Sequence, residues 1–361
     1  MSEKNEFESH EILYGLAFDP NLIGLKLPSI PLFTFPTGST GATGPIGLTG
    51  PMGPTESMGL TEPTGSISTN RIYVTNVNND NVSVISGATH AVISTIPVGS
   101  TRQGVGVNPF TNRIYISNAN NNNVSVISGA ANAVLATISV GSSPVGVGIN
   151  PSTNRIYVTN ANNDNASVID GLTNSVIATI SVGGVPVGVG VNPSTNLIYV
   201  TNLISENVSV IDGLTNSVIA TIPAGISSQG VGVNPLINRV YITNTASDNV
   251  SVIDGLTNSV IATIPVGNAP VGVGVNPSTN HIYIANGYNN NVSVISGATN
   301  AIITTISVGI NPVGVGVNPS TNLIYVTNLI SDNVSVIDGL TNGVIATIPV
   351  GNGPFGVGVN P

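Results

Sequence analysis

Tyrosine recurs every 42 residues through most of this chain, at seven positions from Tyr73 to Tyr325. Each tyrosine lies in a copy of one unit that reads approximately NRIYVTN, NVSVIDG, VIATIPVG and GVGVNP. The array begins at Asn70 with the IYV segment and ends at Pro361, directly after a final GVGVNP. The first unit therefore lacks its GVGV segment, and the C-terminus carries a spare copy. Seven copies of one supersecondary unit indicate a repeat protein.

Four short apolar runs in each unit indicate β-strands. In one unit they are Val105 to Val107, Ile114 to Ser117, Val124 to Ile127 and Val134 to Val140. The runs are rich in Val, Ile, Thr and Tyr and are bounded by Asn, Gly, Pro and Ser, which favours strands and turns over helices. Asn-Pro-x-Thr-Asn and Asp-Gly are typical of tight turns. Four antiparallel strands in this repeat length predict an all-β fold, a seven-bladed β-propeller with four-stranded blades.

The phase of the array predicts how the ring closes. A solenoid would need capping repeats with polar outer faces at both ends, and no such caps are visible in the sequence. Instead, residues 356–360 can pair beside residues 72–76 and complete the first blade. Closure of this kind removes an exposed sheet edge and joins the two ends of the domain.

The strings IYVTN, VSVID and IPVG resemble the YVTN family of bacterial surface β-propeller repeats over residues 70–361. The resemblance implies that GVGV forms the innermost strand of each blade. Alternating Gly and Val suits a crowded centre, because Gly lets neighbouring sheets approach and Val fills the space between them. We predict a propeller domain over residues 66–361. The chain contains no cysteine, so the stability of this domain does not depend on oxidation.

A Gly-rich segment over residues 38–65 precedes the propeller. Glycine occupies every third position from Gly38 to Gly53, which is the collagen period. Glu56 and Glu62 interrupt the series, although the glycines between and after them keep the register. Two interpretations are open: a short, interrupted collagen-like tract through which copies of the chain self-associate, or a flexible linker rich in Pro, Gly and Thr.

The first 37 residues contain neither the basic nor the apolar region of a signal peptide, and we expect them to be disordered. Two strings in this segment, LAFDPNLIG and LPSIPLFTFPTG, followed by the collagen-like tract, resemble the exosporium leader of BclA-type spore-surface glycoproteins. The residues matching the anchoring motif of that leader are Ala17, Phe18, Asp19, Pro20, Asn21, Leu22, Ile23 and Gly24.

The leader resemblance implies a location and partners. Proteins of this family are made in the mother cell and reach the outermost layer of spores of the Bacillus cereus group without a Sec signal. Their partners are proteins of the exosporium basal layer, and threonines such as Thr40, Thr43 and Thr49 are candidates for O-linked sugars. The chain departs from the family at residues 25–27, which are less Pro-rich, and in carrying a propeller where the family has a trimer-forming β-sandwich.

Candidate catalytic or metal-binding groups in the propeller are few. His90 stands where the other units have Asn, and His281 stands where Arg or Leu occurs, so both are expected to be turn or surface residues. Four aspartates occupy the Asp-Gly turn, where Ser substitutes in other units, and are expected to form turns: Asp170, Asp212, Asp254 and Asp338. The Asn-rich loops offer one carboxylate each, which is less charge than Ca²⁺ sites usually gather. We expect no catalytic residue, metal or cofactor.

A ligand-binding face is the remaining candidate site. The loops that enter the innermost strand and the loops between the second and third strands share one face of a propeller. Residues that differ between units there are Arg102, Gln103, Gln229, Tyr288 and Phe355. A polar face of this kind suits a glycan or protein ligand, and ordinary solvated loops are the alternative.

Charge excludes other partners. The chain has 16 acidic and 7 basic residues, a net charge of −9, and only 6% charged residues. No basic patch is present for nucleic acid, and no apolar run is long enough to cross a membrane. The sequence therefore predicts a noncatalytic structural protein of the spore surface. The alternatives are an adhesin that binds glycans or proteins, and a propeller hydrolase or lyase for which His90 and His281 would be the acid/base candidates.

Overall fold

The structure, a computed structural model, describes residues 70–100 and 104–361. In these residues β-strands form seven four-stranded antiparallel sheets, and a single turn of 3-10 helix spans Ala119–Asn121. The prediction of an all-β, seven-bladed propeller is confirmed. The predicted leader, the collagen-like tract, Arg102 and Gln103 lie outside the described residues.

Each sheet is one blade, in which consecutive strands run from the central channel to the rim. The innermost strands are β4 (Val105–Asn108), β8 (Pro144–Asn150), β12 (Pro186–Asn192), β16 (Ser228–Asn234), β20 (Pro270–Asn276), β24 (Pro312–Asn318) and β28 (Pro354–Asn360). The second strands are β1 (Arg71–Asn76), β5 (Arg113–Asn118), β9 (Arg155–Asn160), β13 (Leu197–Asn202), β17 (Arg239–Asn244), β21 (His281–Asn286) and β25 (Leu323–Asn328).

The outer half of each blade is a hairpin. The third strands are β2 (Asn81–Ser86), β6 (Asn123–Ser128), β10 (Asn165–Asp170), β14 (Asn207–Asp212), β18 (Asn249–Asp254), β22 (Asn291–Ser296) and β26 (Asn333–Asp338). The outermost strands are β3 (Ala91–Pro97), β7 (Ala133–Ser139), β11 (Ser175–Ser181), β15 (Ser217–Pro223), β19 (Ser259–Pro265), β23 (Ala301–Ser307) and β27 (Gly343–Pro349). Blade 1 contains β28, β1, β2 and β3, and blades 2 to 7 follow in chain order.

The C-terminal strand closes the ring as the phase of the repeats predicts. β28 pairs antiparallel with β1, with Asn360 opposite Arg71 and Val359 opposite Ile72. The side-chain amide of Asn360 also donates a 2.8 Å hydrogen bond to Oδ1 of Asn112 in blade 2. The equivalent Asn–Asn bond links every pair of adjacent blades, so these bonds form a complete ring.

The hydrophobic core lies between blades. Tyr199 and Val210 of blade 4, for example, pack with Val240, Ile242 and Ile253 of blade 5. Each of the seven core clusters in the described residues joins two adjacent blades in the same way. Because no blade buries its apolar residues alone, the ring as a whole is the unit that folds.

The glycines of the innermost strands let neighbouring blades approach. A Cβ atom added at Gly190 would lie 2.3 Å from Cγ1 of Val231 in the next blade, and one at Gly188 would lie 2.0 Å from the carbonyl oxygen of Gln229. These distances are far below van der Waals contact. The Gly and Val alternation therefore has the role that the sequence predicts, with Gly at each close approach and Val in the space beside it.

We expect Gly188→Ala to lower the free energy of unfolding by about 3 kcal/mol, because the added methyl group meets backbone that cannot rotate away. The matched control is Gly343→Ala, at a site where the nearest atom, Oγ1 of Thr341, lies at 3.4 Å and where three other blades carry Ala. This control should be neutral or slightly stabilising. Denaturant unfolding measures both, and equal effects would contradict the close approach.

A hydroxyl group on the second strand links most blades to the next. Oγ1 of Thr201 accepts a 2.8 Å hydrogen bond from the Gly188 amide and donates a 2.6 Å bond to the Gln229 carbonyl of the next blade. The equivalent Ser or Thr residues of blades 2, 3, 5 and 7 make the same two bonds. Blade 6 has the fully buried Ala285 at this position, which offers no hydroxyl.

We expect Ala285→Thr to raise the free energy of unfolding by about 1–2 kcal/mol, since it adds the two hydrogen bonds that the other blades have. Thr201→Ala, the reverse change in blade 4, should lower the free energy by at least as much because it leaves partly buried backbone groups of Gly188 and Gln229 without this partner. Thermal and denaturant unfolding of both variants test this. A destabilised Ala285→Thr variant would mean that blade 6 is packed differently from the rest.

Candidate interaction face

The ring has two faces, which the turns define. One face, the loop face, carries the loops between second and third strands together with the connections into the innermost strands. On this face the Ile330 amide donates a 3.2 Å hydrogen bond to the Ile310 carbonyl. The other turns lie on the opposite face, the turn face, where the Gly339 amide donates to the Asn322 carbonyl at 2.9 Å. The described chain begins and ends on the turn face, since Arg71 pairs with Asn360.

Buried asparagines hold the loops of the loop face in place. Nδ2 of Asn202 donates to Oδ1 of Asn207 at 2.8 Å and to Oγ of Ser209 at 2.9 Å. All seven blades repeat this arrangement. The recurring Asn-x-Ser sequences are therefore explained by the fold, because both of their polar side chains accept from a buried amide.

The structure places three of the five predicted ligand-face residues on the loop face. Gln229 and Phe355 are half-buried and occupy equivalent positions, at the ends of β16 and β28 that border the mouth of the channel. Tyr288 lies in the loop between β21 and β22 and is 81% exposed. Arg102 and Gln103 fall in the segment between β3 and β4 that is not described.

Exposed aliphatic residues on the loop face were not among the sequence predictions. They occupy the connection into an innermost strand or the loop between second and third strands, and with Tyr288 they are between 51% and 81% exposed. Because they lie in consecutive blades, 4 to 7, we call them the apolar arc: Ile204, Ile226, Tyr288, Ile310 and Ile330. The equivalent positions of blades 1 to 3 carry only Asn and Ser. Replacement of these Asn and Ser residues by Ile was the sequence signal that could have revealed the arc.

The loop face is also acidic. Five carboxylates occupy the last position of the loops between second and third strands: Asp80, Asp164, Glu206, Asp248 and Asp332. Oδ1 of Asp164, Asp248 and Asp332 accepts a 2.8 Å hydrogen bond from the backbone of the connection that follows the same blade. All four arginines in the described residues, Arg71, Arg113, Arg155 and Arg239, begin second strands on the turn face.

Two of the four described arginines on the turn face form ion pairs. Arg155 contacts Asp170 at 2.5 Å, and Arg239 contacts Asp254 at 2.8 Å. Backbone amides of the turn lower the pKa of Asp170, with a smaller contribution from the Arg155 guanidinium. The Leu214 amide likewise donates to Asp212 at 2.8 Å. The Asp-Gly aspartates thus cap their turns, and exposed ion pairs of this kind contribute little stability.

The two histidines in the described residues lie on the turn face in different blades. His90 has a φ of 53°, the left-handed conformation that Asn adopts at this position in the other six blades. His281 begins β21, and its ring packs edge-on against Tyr283 with 6.5 Å between centroids. In the part of the chain that the structure describes, three or more His, Cys, Asp or Glu residues nowhere gather in a group that could hold a metal. Within the same residues no helix has the length and apolarity to cross a membrane.

Comparison with known proteins finds similarity in fold. No family model and no curated protein matches the chain. A functionally unknown protein from Desulfotomaculum acetoxidans superposes with a TM-score of 0.71 at 15% identity, covering 80% of this chain and 98% of that one. Hydrazine synthase from Kuenenia stuttgartiensis has a TM-score of 0.65 at 20% identity, covering 72% of this chain and 89% of its own.

A third solved structure, the dihydro-heme d1 dehydrogenase NirN in complex with DHE, has a TM-score of 0.61 at 13% identity and is covered over 65% of its length. The superposed region covers 80% of this chain. At these identities the similarity shows the propeller fold alone, because one fold hosts many unrelated functions.

Proposed function

We propose that this chain is a noncatalytic display protein of the outer spore surface, the exosporium. Residues 17–24 anchor it to basal-layer proteins, the segment over residues 38–65 acts as a spacer, and the propeller is an interaction module. The observation that carries this proposal is the distribution of residues in the ring. Most polar side chains that recur in every blade make hydrogen bonds that hold the ring, whereas the apolar arc lies exposed on the loop face, where blades 1 to 3 carry Asn and Ser.

The direction of the chain supports a display role. The first described residue of the propeller, Asn70, lies on the turn face. Attachment through this end leaves the apolar arc on the face away from the point of connection. A protein that binds through its loop face can therefore be anchored and occupied at the same time.

Fluorescence microscopy of sporulating Bacillus cells tests the location. Residues 1–38 fused to a fluorescent protein should form a rim outside the spore coat, and the full chain lacking residues 1–38 should lose that rim. The matched control is the same fusion with Asp19, Pro20 and Asn21 replaced by Ala, which removes the anchoring motif but keeps the length. Diffuse mother-cell fluorescence of the unmodified fusion would overturn the exosporium assignment.

Glycan binding is the second candidate function. The exposed Tyr288 ring beside the Asn268 and Asn289 loops combines a stacking surface with amide groups, and the Tyr288 amide donates to the Asn268 carbonyl at 3.3 Å. Neutral sugars are bound by such combinations of an apolar face and hydrogen-bonding groups. A glycan array probed with the full chain and with Tyr288→Ala separates this adhesin role from a purely structural one.

The noncatalytic assignment is tested at the two histidines. His90→Asn and His281→Leu install residues that equivalent positions already hold, so both variants should fold. A hydrolase or lyase activity that the chain shows and the double variant loses would overturn the assignment.

A further inference from the structure

We propose that the loop face binds a basic protein segment with apolar side chains, which packs on the apolar arc and pairs with the carboxylates around it. This inference rests on the proposed role of the propeller as an interaction module, and it names the face and the chemistry of the partner.

Backbone hydrogen bonds hold the segments that carry the apolar arc. Ile310 and Ile330 lie in neighbouring segments that are joined by the 3.2 Å bond between their backbones, and the Leu329 amide donates to the Asn311 carbonyl at 2.9 Å beside them. Asn328 holds the base of this loop through Asn333 and the serine two residues further on. A surface already ordered in this way loses little conformational entropy when a partner binds. Exposed apolar residues grouped together mark protein contact sites more often than scattered ones do.

Carboxylates flank the same residues. Glu206 lies in the loop of Ile204, Asp248 in the loop that follows Ile226, and Asp332 in the loop of Ile330. The described part of the loop face has no basic residue. Two copies of this chain docked through their loop faces would therefore bring like charges together, whereas a basic segment would be attracted.

The fold does not require these charges. Asn122 and Asn290 occupy the same position in blades 2 and 6, and their side-chain oxygens accept the same backbone hydrogen bond at 2.9 Å. A neutral amide therefore suffices to hold the loop. The negative charge in the other five blades is an addition to the structural role, and neither of the ion pairs found in the described residues involves it.

The turn face offers no equivalent attraction. It also carries exposed apolar side chains, including Leu256 and Leu340, both 84% exposed. Its four described arginines are balanced by the four Asp-Gly aspartates, and two of these aspartates are paired directly. A basic partner has no electrostatic reason to choose that face.

Binding of synthetic peptides to the full chain tests the proposal. An amphipathic peptide of Lys and Leu should bind, and its affinity should fall by about tenfold between low and physiological salt because exposed charges are screened. A Glu–Leu peptide and a Lys–Ser peptide of the same length should bind at least about tenfold more weakly, since each lacks one of the two features.

Variants taken from the chain's own repeats locate the site. Ile310→Asn with Ile330→Asn copies blade 1, and Asp164→Asn, Asp248→Asn and Asp332→Asn copy blades 2 and 6, so these variants should keep the melting temperature of the parent. Each set of substitutions should lower the affinity for the Lys–Leu peptide by about tenfold or more. Leu256→Ala with Leu340→Ala, which copies turn-face alanines of other blades, should leave the affinity unchanged.

Three results would overturn the inference: equal binding of the Glu–Leu peptide, unchanged affinity in both loop-face sets, or loss of affinity in the turn-face control. Tight binding of a glycan in place of the Lys–Leu peptide would likewise overturn it. The spore localisation is read separately in cells. Peptide binding with diffuse fluorescence would refute the exosporium assignment alone, and a fluorescent rim without peptide binding would refute this inference alone.

Discussion

Deletion of residues 354–361 is expected to abolish cooperative folding of the whole propeller, although it removes only one strand of one blade. β28 supplies all the pairing on the inner side of β1, and its Val357 and Val359 pack against the core cluster between blades 7 and 1. The half-buried apolar side chains of the strand contribute about 3 kcal/mol. Its backbone and side-chain hydrogen bonds contribute about 1 kcal/mol each. Together these losses approach the total stability of an ordinary domain, about 5–15 kcal/mol.

Circular dichroism and limited proteolysis measure the effect. The deleted protein should show no sharp thermal transition and should be cleaved throughout the ring. A cooperative transition at the parent's melting temperature would show that the open ring is stable and that closure is dispensable.

A circular permutant provides the matched control. Joining Pro361 to Ser68 creates the string Asn-Pro-Ser-Thr-Asn-Arg, which the chain already uses as the turn at residues 150–155. New ends can then be opened in an equivalent turn, between Pro235 and Leu236. This permutant contains every strand of the ring and should fold with nearly the parent's stability. A loss of folding here would mean that the order of strands, and not closure itself, determines stability.

Alkaline pH is expected to unfold the propeller through its buried tyrosines. The tyrosine in the second strand of each blade is fully buried between blades. Burial raises the pKa of Tyr199, Tyr283 and Tyr325 from the ordinary value of 10.0 to about 12, with smaller contributions from Asp254 to Tyr199 and from Asp338 to Tyr283. The folded state therefore favours the neutral phenol. This stabilisation is fully present below pH 10 and is lost as the pH rises from 10 to 12.

The expected size of the alkaline effect is large. A difference of two between the folded and unfolded pKa corresponds to about 2.7 kcal/mol for each tyrosine. Three tyrosines together should lower the free energy of unfolding by about 7 kcal/mol at pH 12. Circular dichroism and the ultraviolet absorbance of tyrosinate, followed together, should change in one cooperative step. Gradual tyrosinate formation without loss of structure would contradict the prediction.

Replacement by phenylalanine tests the cause. The hydroxyl oxygens of Tyr199, Tyr283 and Tyr325 make no hydrogen bond with any described group. Removing these hydroxyls should leave stability at neutral pH unchanged or raise it by about 1 kcal/mol. The triple variant should also unfold at higher pH than the parent. An unchanged alkaline transition would assign alkaline unfolding to other groups.

The architecture could be predicted from the sequence because every unit carries the same strand, turn and close-packing positions. A strand assigned wrongly in one unit would have to be wrong in all seven units. The positions of Gly188 and Gly190 are likewise glycine in every blade. Reasoning about His90 was of the same kind: six asparagines at its position indicated a turn, and the left-handed φ of 53° accounts for them. The leader and collagen-like interpretations lie in residues 1–69 and remain predictions.

The composition of the loop face was predicted only in part. Tyr288 was recognised because an aromatic residue stands out among asparagines. Ile204 and Ile330 were not, because an isoleucine in a sequence rich in Val and Ile is read as part of a strand. The acidic character of the face was missed for another reason, since Asp164 and Asp170 are six residues apart in the sequence but lie on opposite faces of the ring.

The 42-residue period and its phase thus determined the class of fold, the number of blades and the way in which the ring closes, because local strand and turn preferences and a uniform repeat require them. Only the tertiary structure decided which exposed apolar and acidic side chains lie together on one face. Strands reverse direction at each turn, so the two ends of one strand are separated by the thickness of the ring, while the loops of blades 4 to 7, far apart in sequence, become neighbours. The apolar arc and the separation of charge between the two faces arise from that arrangement.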